Sequence, residues 1–222
     1  MMNESLRRAR KLHSRVPADW YWRSVKENWL QRFWHMRRFR EVGEMIEPAE
    51  KILDVGSADG MFTQVLAKRS GASEVVGVDV LESSVSFAKK RFEKLKKYRF
   101  MVADAQNLPF EGGSFDGVFC LEVVEHVTDP RVVMRELFRV LMKGGYAVVL
   151  VPRGENLLVK IGWWVWTRWR GKIWRGTHLG IYRDGDVEKM AKEAGFKLEE
   201  QRLFLLGMLE ALKLRKGGVS KK

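Results

Sequence analysis

Two glycines follow a short apolar segment that ends in an acid, in the sequence KILDVGSADG from Lys51 to Gly60. Ile52, Leu53 and Val55 predict a buried parallel strand, and residues 61–68 predict the helix that follows it. Gly56 and Gly60 therefore lie at a strand-to-helix turn. Glycine adopts positive φ angles and has no Cβ, so the backbone can approach a ligand closely there. Because ligands of open α/β sheets bind at this edge, the segment predicts a site for a nucleotide-like cofactor.

The spacing of the two glycines separates two cofactor classes. Dinucleotide sites carry the pattern GxGxxG, with the pyrophosphate at the helix N-terminus, whereas Gly56 and Gly60 form GxxxG. A carboxylate at Asp59 would also repel a pyrophosphate. S-adenosylmethionine has no phosphate, and its amine and sulfonium would be attracted by Asp54 and Asp59. The alternative is a plain strand-to-helix turn whose glycines serve only the backbone geometry.

Two further predicted strands end in acids. Residues 74–80 form an apolar strand with Asp79 at its end, and residues 100–103 form a third strand that is followed by Asp104. In this layout the acid after strand two faces the ribose, whose two hydroxyls a carboxylate accepts together. Asp104 is placed to accept a hydrogen bond from the adenine amine. Any one of these acids could be a solvated loop residue, but three successive strands that end in acids favour a cofactor site.

Residues 52–196 resemble the class I S-adenosylmethionine-dependent methyltransferases, and in particular the type 11 group. The matching motifs are ILDVGSADG, VVGVDV, VADAQNLPFEGGSFDGVFCLEVVEHV, LMKGGYAVVLVP and HLGIYRDGDVEKMAKEAGF. The resemblance implies an α/β fold with a Rossmann-like, doubly wound and mostly parallel seven-stranded sheet. It further implies N-terminal helices, a cap inserted after strand five, and S-adenosyl-L-methionine as the cofactor, with S-adenosyl-L-homocysteine as the product. No metal site is expected.

The resemblance also implies a set of cofactor-binding residues. Gly56 and Gly60 would surround the methionine portion, Asp79 would bind the ribose, and Asp104 with the Ala105 backbone would bind the adenine. The full set expected at the cofactor is Asp54, Gly56, Ser57, Gly60, Asp79, Val80, Asp104, Ala105 and Glu122. The sequence departs from the family at Ala58, where a middle glycine is usual, so we expect weaker or slightly displaced binding.

An acceptor hydroxyl would need a base in addition to the cofactor. His126, which with Glu122 would lie beside the sulfonium, is the first candidate and His178 is the second. Each has a simpler alternative, since His126 could cap the next helix and His178 could fasten the cap to the core. Arg153 and Asn156, just after strand five, are candidates for orienting a polar acceptor.

Positive charge and tryptophan are concentrated outside the predicted core. Residues 1–51 hold 12 basic and 7 acidic side chains, residues 52–152 hold 13 of each, and residues 153–222 hold 16 and 8. All nine tryptophans lie in the two flanks. We therefore divide the chain into an N-terminal helical flank (1–50), a methyltransferase domain (51–205, with the cap at about 153–180) and a C-terminal segment with a basic tail (206–222).

The tryptophan-rich segment from Trp163 to Trp174 has three interpretations. It could be a cap whose tryptophans cover a hydrophobic acceptor pocket, an interfacial helix in contact with lipid head groups, or a surface that stacks RNA bases. In the front flank we predict helices at residues 3–14 and 24–46. The apolar stripe of the second helix is expected to pack on the core, Arg37, Arg38 and Arg40 to face solvent, and His35 to lie at the surface unless the helix forms a lid.

At the C-terminal end the sequence predicts a helix at 184–194 and a strand at 196–205. Residues 206–214 fit either a final antiparallel strand or a short amphipathic helix, and a disordered tail is expected from Arg215. No signal peptide or run of ~18 apolar residues is visible, so we expect a cytoplasmic protein, with peripheral membrane contact as an alternative.

The resulting hypothesis is a methyltransferase that acts on a small-molecule or lipid-like acceptor. The alternatives are an RNA methyltransferase that uses the basic, tryptophan-rich flanks, and a partner protein that binds S-adenosylmethionine without catalysis. DNA is not expected as a partner.

Overall fold

The computed structural model describes residues 16–153 and 182–217, together with Arg7, Arg10, Lys11, His13, Ile161, Trp164, Val165 and Arg168. Most of the expected cap, including His178 and Asn156, and most of the expected helix at residues 3–14 lie outside the described residues. None of the helices in the described ranges is both long and apolar enough to span a membrane.

Seven strands form one sheet in the order β3-β2-β1-β4-β5-β7-β6. The strands are β1 (Lys51–Val55), β2 (Glu74–Asp79), β3 (Tyr98–Val102), β4 (Phe115–Leu121), β5 (Leu141–Pro152), β6 (Phe196–Phe204) and β7 (Leu209–Lys216). The first five are parallel, whereas β7 is antiparallel to both β5 and β6. The predicted mostly parallel, seven-stranded sheet is confirmed.

Helices cover both faces of the sheet. They are α1 (Trp20–Glu27), α2 (Trp29–Glu44), α3 (Met61–Ser70), α4 (Glu82–Phe92), α5 (Pro130–Val140) and α6 (Asp186–Glu193). Buried residues of α2 and α3 pack with Ile52 and Phe119, whereas those of α5 and α6 pack with Leu53 and Val118. Because neighbouring residues of one strand are buried on opposite faces, the sequences of the central strands are largely apolar rather than alternating.

The strand order reverses between β1 and β4, since β2 lies on one side of β1 and β4 on the other. The loops after the carboxyl ends of these strands separate at this point, and the crevice between them is where open α/β sheets bind ligands. The turn after β1, predicted to hold the cofactor, is therefore at the switch point of the sheet.

The front flank differs from the prediction of one long helix over residues 24–46. Two helices are present instead, and the break lies at Asn28, whose side-chain oxygen accepts hydrogen bonds from the amides of Leu30 and Gln31, both at 3.1 Å. Asparagine is a favoured N-cap, so the local chemistry of this one residue starts a new helix. The apolar stripe of α2 packs on the core only in its later part, where Phe39 and Val42 are buried.

At the C-terminal end, the segment left open between strand and helix forms β7. Arg215 and Lys216, predicted to start a disordered tail, belong to this strand. Lys216 Nζ donates hydrogen bonds of 2.7 Å to the carbonyls of Phe138 and Leu141. The sheet therefore extends past residue 205, the limit expected for the domain.

Candidate cofactor and acceptor site

A cavity lies at the switch point, above the carboxyl ends of β1, β2 and β4. The residues before and within the start of α1 line one side of it, including His13, Pro17 and Tyr21. Seven of the residues expected at the site line this cavity: Gly56, Asp79, Val80, Asp104, Ala105, Glu122 and His126.

Gly56 occupies a backbone position that only glycine fits without strain. Its φ is +81°, and a Cβ there would lie 2.2 Å from Cγ2 of Val123. Its amide donates to the carbonyl of Val78 at 2.8 Å, which holds the turn against β2. Two residues later Ala58 also has a positive φ, of +45°. An alanine in this left-handed region costs about 1–2 kcal/mol.

Asp79 is fixed by the backbone around it. One carboxylate oxygen accepts from the Ala58 amide at 3.0 Å and the other from the Leu81 amide at 2.8 Å. Burial raises the pKa of this carboxyl, although the backbone hydrogen bonds lower it in part. A carboxylate has about four acceptor sites, so the remaining lone pairs are available to hydroxyl donors from the cavity.

Asp104 carries a buried oxygen without a partner. Its Oδ1 accepts from the Gln106 amide at 2.9 Å, whereas Oδ2 has no hydrogen bond to any residue in the described part of the chain. Burying such an oxygen unsatisfied costs about 1–3 kcal/mol, and a donor in the cavity would remove that cost. The exocyclic amine of an adenine supplies such a donor.

Three residues expected at the cofactor do not line the cavity: Asp54, Ser57 and Gly60. Asp54 is buried and accepts a hydrogen bond of 2.5 Å from the Thr63 hydroxyl. Ser57 is also buried. A Cβ on Gly60 would meet the rings of Phe92 and Phe100, so the absence of a side chain here leaves space for aromatic packing.

Asp59, expected to attract the amine and sulfonium, instead joins two helices. Its Oδ1 accepts from the amide of Met61, the first residue of α3, at 3.0 Å, while Oδ2 accepts from the Trp22 amide at 2.7 Å in α1. The guanidinium of Arg10 donates to the carbonyl of Val80 at 3.0 Å. The front flank is thus fastened across the cavity at both of its sides.

Sequence reasoning missed the side chains that α2 contributes. Arg38, expected to face solvent, is 3% exposed and forms an ion pair with Glu122 at the cavity wall. Its Nη1 donates to Nδ1 of His35 at 3.0 Å. Arginine is only a donor, so His35 carries its proton on Nε2 and is neutral. Burial, reinforced by the charge of Arg38, lowers the pKa of His35 to about 3.

His35 is therefore a buried residue rather than the expected surface histidine. The signal for this arrangement was the spacing of three between His35 and Arg38, which places both on one face of a helix. Glu122, the partner of Arg38, has a φ of +56°, which is strained for a residue with a side chain.

Glu125 is a further acid at the base of the site. It is 1% exposed, and its Oε2 has no hydrogen-bond partner among the described residues. Burial and then the charge of Glu122 raise its pKa well above the ordinary range. The Tyr182 hydroxyl donates to the carbonyl of Val124 at 2.7 Å and holds this turn in place.

His126 ends the short 3-10 helix Val124–His126 and lines the cavity. Its ring meets the ring of His13 edge to face, with centroids 4.7 Å apart. The next helix, α5, is capped by Asp129, whose side chain accepts from the amides of Arg131 and Val132. The capping role considered for His126 therefore belongs to Asp129. Arg153, considered for acceptor orientation, pairs with Asp184, with Nε and Oδ1 2.7 Å apart.

Comparison with known proteins agrees with the geometry. A family model described as a methyltransferase domain of the type 11 group matches residues 53–149. The chain is 29% identical over 171 residues to a demethylmenaquinone methyltransferase of Thermotoga maritima, an alignment that covers 70% of this chain and 73% of the relative. It is 32% identical over 134 residues to an O-methyltransferase of Penicillium expansum, and there it spans 58% of this chain and only 48% of the relative.

Solved structures share the fold at lower identity. The N-methyltransferase NodS of Bradyrhizobium japonicum, in complex with S-adenosyl-L-homocysteine, superposes with a TM-score of 0.67 at 16% identity, covering 96% of this chain and 99% of the other. The [4+2]-cyclase SpnF gives a TM-score of 0.68 at 16% identity, covering 82% of this chain and 80% of the other.

The residues of the cavity fit S-adenosylmethionine. Asp104 has a buried acceptor with no partner among the described residues, Asp79 has lone pairs beyond its two backbone bonds for a ribose, and Gly56 lines the cavity beside them. Residues 53–149 carry the methyltransferase domain of the type 11 group, and with the named relatives these features support a class I S-adenosylmethionine-dependent methyltransferase.

Proposed function

We propose that this chain transfers the methyl group of S-adenosylmethionine to a small-molecule or lipid-like acceptor. Asp104 carries the proposal, because it lines the switch-point cavity and its buried Oδ2 has no partner among the described residues, a need that an adenine amine would meet. Asp79 accepts hydrogen bonds from the ribose, and the Gly56 turn contacts the methionine portion. Glu122 lines the same cavity and faces the cationic end of the cofactor.

The chain acts mainly by positioning. S-adenosylmethionine, when bound, supplies a methyl group on a sulfonium that is already an excellent leaving group. The protein has to hold the acceptor in line and exclude water, which is worth as much as ~7–11 kcal/mol in favourable cases. The front flank over the cavity, held by Asp59 and Val80, serves the exclusion of water.

A hydroxyl acceptor also needs a base, and His126 is the residue that we assign to it. Its ring lines the cavity, and α5 is capped without it. His178 stays the second candidate and lies outside the described residues.

The named relatives support a small acceptor, since one acts on demethylmenaquinone and another is an O-methyltransferase. Trp20 and Tyr21 line the cavity and suit an acceptor with an apolar or aromatic body. Of the tryptophan-rich segment, Trp164 is described: it is 57% exposed, with the Arg168 guanidinium 3.9 Å from its ring centroid. This contact is compatible with both a cap and a lipid contact.

A reaction other than methyl transfer is the second candidate, because a [4+2]-cyclase has the same fold. Ala58, in place of the usual middle glycine, is the sequence change that favours a protein which binds S-adenosylmethionine without transferring its methyl group.

The test combines cofactor binding with transfer of label. We expect wild-type protein to bind S-adenosylmethionine in calorimetry and to move labelled methyl into the small-molecule or lipid fraction of a lysate of the source organism. Asp79→Ala should lose both activities, whereas Glu93→Ala, an exposed acid away from the cavity, should keep them. Label in RNA would select the RNA alternative. Binding without any label would move the assignment to the second candidate.

A further inference from the structure

The amino-terminal half of α2 stands beyond the edge of the sheet that holds the cavity. Its later part is anchored, since Val42 and Met45 pack in the core and the Glu47 amide donates to the Tyr146 hydroxyl near the start of β5. Arg38 reaches Glu122, directly after the carboxyl end of β4. A helix rises 1.5 Å per residue, so Trp29 lies roughly 13 Å beyond Arg38 along the axis.

Large apolar side chains on this projecting part face solvent. Trp29 is 81% exposed, Leu30 59%, Phe33 61% and Met36 49%. We call these four residues the α2 tip. Soluble proteins rarely expose contiguous apolar patches of this kind unless the patch has a partner. Leu206, in the turn between β6 and β7, is 78% exposed and lies at the same edge, since β7 begins opposite Pro152, the last residue of β5.

Charge selects the kind of partner. Residues 20–44 hold six basic and three acidic side chains, and the whole chain carries a net charge of +13. Arg32 and Lys26 are exposed on this segment, as is the acid Glu27, while Glu41 and Glu44 are paired with Arg37 and Arg202. Tryptophan and phenylalanine next to exposed arginine and lysine are typical of segments that lie in the head-group region of an anionic membrane.

We propose that the α2 tip docks this protein on the surface of an anionic lipid bilayer. Trp29 and Phe33 insert among the head groups, and Arg32 and Lys26 contact lipid phosphates. The edge of the sheet that carries the cavity then faces the membrane. This docking surface is distinct from the tryptophan-rich segment after β5, and it does not depend on which acceptor is methylated.

Sedimentation of the full chain with vesicles tests the proposal. We expect wild-type protein to bind vesicles of phosphatidylglycerol and phosphatidylcholine, to bind pure phosphatidylcholine far less, and to dissociate as salt is raised. The double variant Trp29→Ser/Phe33→Ser should bind anionic vesicles at least about tenfold more weakly than the wild type does, because two large apolar side chains no longer insert. Leu95→Ser removes an apolar residue that is 48% exposed just before β3, at the opposite edge, and should bind as the wild type does.

Calorimetric binding of S-adenosylmethionine by the double variant checks that it is folded and separates this test from that of the proposed function. Absence of wild-type binding to anionic vesicles would overturn the proposal. Undiminished binding by the double variant would also overturn it, since another segment would then be the contact. A wild-type dimer that the double variant dissociates would assign the tip to a second copy of the chain instead.

Discussion

At the scale of single residues, the neighbouring arginines Arg37 and Arg38 differ in burial and in ion pairing. Arg37 pairs with Glu41 one turn later on the surface of α2, at 3.0 Å. Arg38, rotated by about 100° on the same helix, is buried and pairs with Glu122. Removing one partner of an ion pair that is largely shielded from water lowers the stability of the fold, because the other charge stays buried without compensation.

Replacing Arg38 with methionine should therefore lower the free energy of unfolding by about 3 kcal/mol at neutral pH. The Arg37→Met variant makes the same substitution at the neighbouring residue. It should lower the free energy of unfolding by no more than about 1 kcal/mol, because exposed ion pairs contribute little. Denaturation by urea measures both values. Equal, small losses in the two variants would show that the Arg38–Glu122 pair does not stabilise the fold.

Single residues also show how far the sequence could predict the site. The positions of Asp79, Asp104 and Gly56 beside the cavity were predictable because the end of a strand and the turn after it fix them locally. That Gly60 does not line the cavity was not predictable, because the contacts of its turn with Phe92 of α4 and Phe100 of β3 leave no mark in the sequence of the turn itself. Arg38 was missed for the same reason, since its partner lies 84 residues away.

At the scale of elements, Asp59 links the cofactor turn to the front flank. One oxygen accepts from the first amide of α3, and the other holds α1 through the Trp22 amide. The bond to Trp22 spans 37 residues of sequence, so a single loop residue connects two helices that are distant along the chain. The resemblance to a known family implied the doubly wound sheet, but it did not imply this link between helices.

The Asp59→Ala variant should release α1 from the cavity. We expect faster hydrogen exchange of the Trp22 amide and an increase in the rate of S-adenosylmethionine dissociation, together with a loss of about 1 kcal/mol for the hydrogen bond to the first amide of α3. Asp129→Ala removes an aspartate that accepts from the first amides of α5 and does not hold α1, and it provides the control. If both variants released the cofactor at the wild-type rate, the bond between Asp59 and Trp22 would have no role in retaining the cofactor.

At the scale of the whole molecule, two buried groups give opposite pH dependences of stability. The pKa of His35 is lowered from 6.5 to about 3, so the unfolded chain takes up a proton first and stability falls as pH decreases from 6.5 to 3. The pKa of Asp54 is raised by burial from 3.8 to about 7, so the unfolded chain loses its proton first and stability falls as pH rises from 4 to 7.

Single variants should separate the two dependences. Relative to the wild type, His35→Gln should gain stability as pH falls below 6.5, and Asp54→Asn should gain it as pH rises towards 7. The difference in free energy of unfolding between each variant and the wild type should change by up to about 1.4 kcal/mol per pH unit. Urea unfolding at several pH values between 4 and 7 measures this difference. A difference that does not vary with pH would mean that the substituted group has the same pKa in the folded and unfolded chains.

The position of β7 has a consequence for how the protein is made. This strand is the last of the seven in sequence, yet it lies between β5 and β6 in the sheet. Until residues up to Lys216 have left the ribosome, the edge of β5 has no partner, and its apolar residues 147–151 stay available for pairing with another chain. Nascent chains that stall before β7 therefore expose this unpaired side of β5, and they are the forms of the protein that we expect to aggregate.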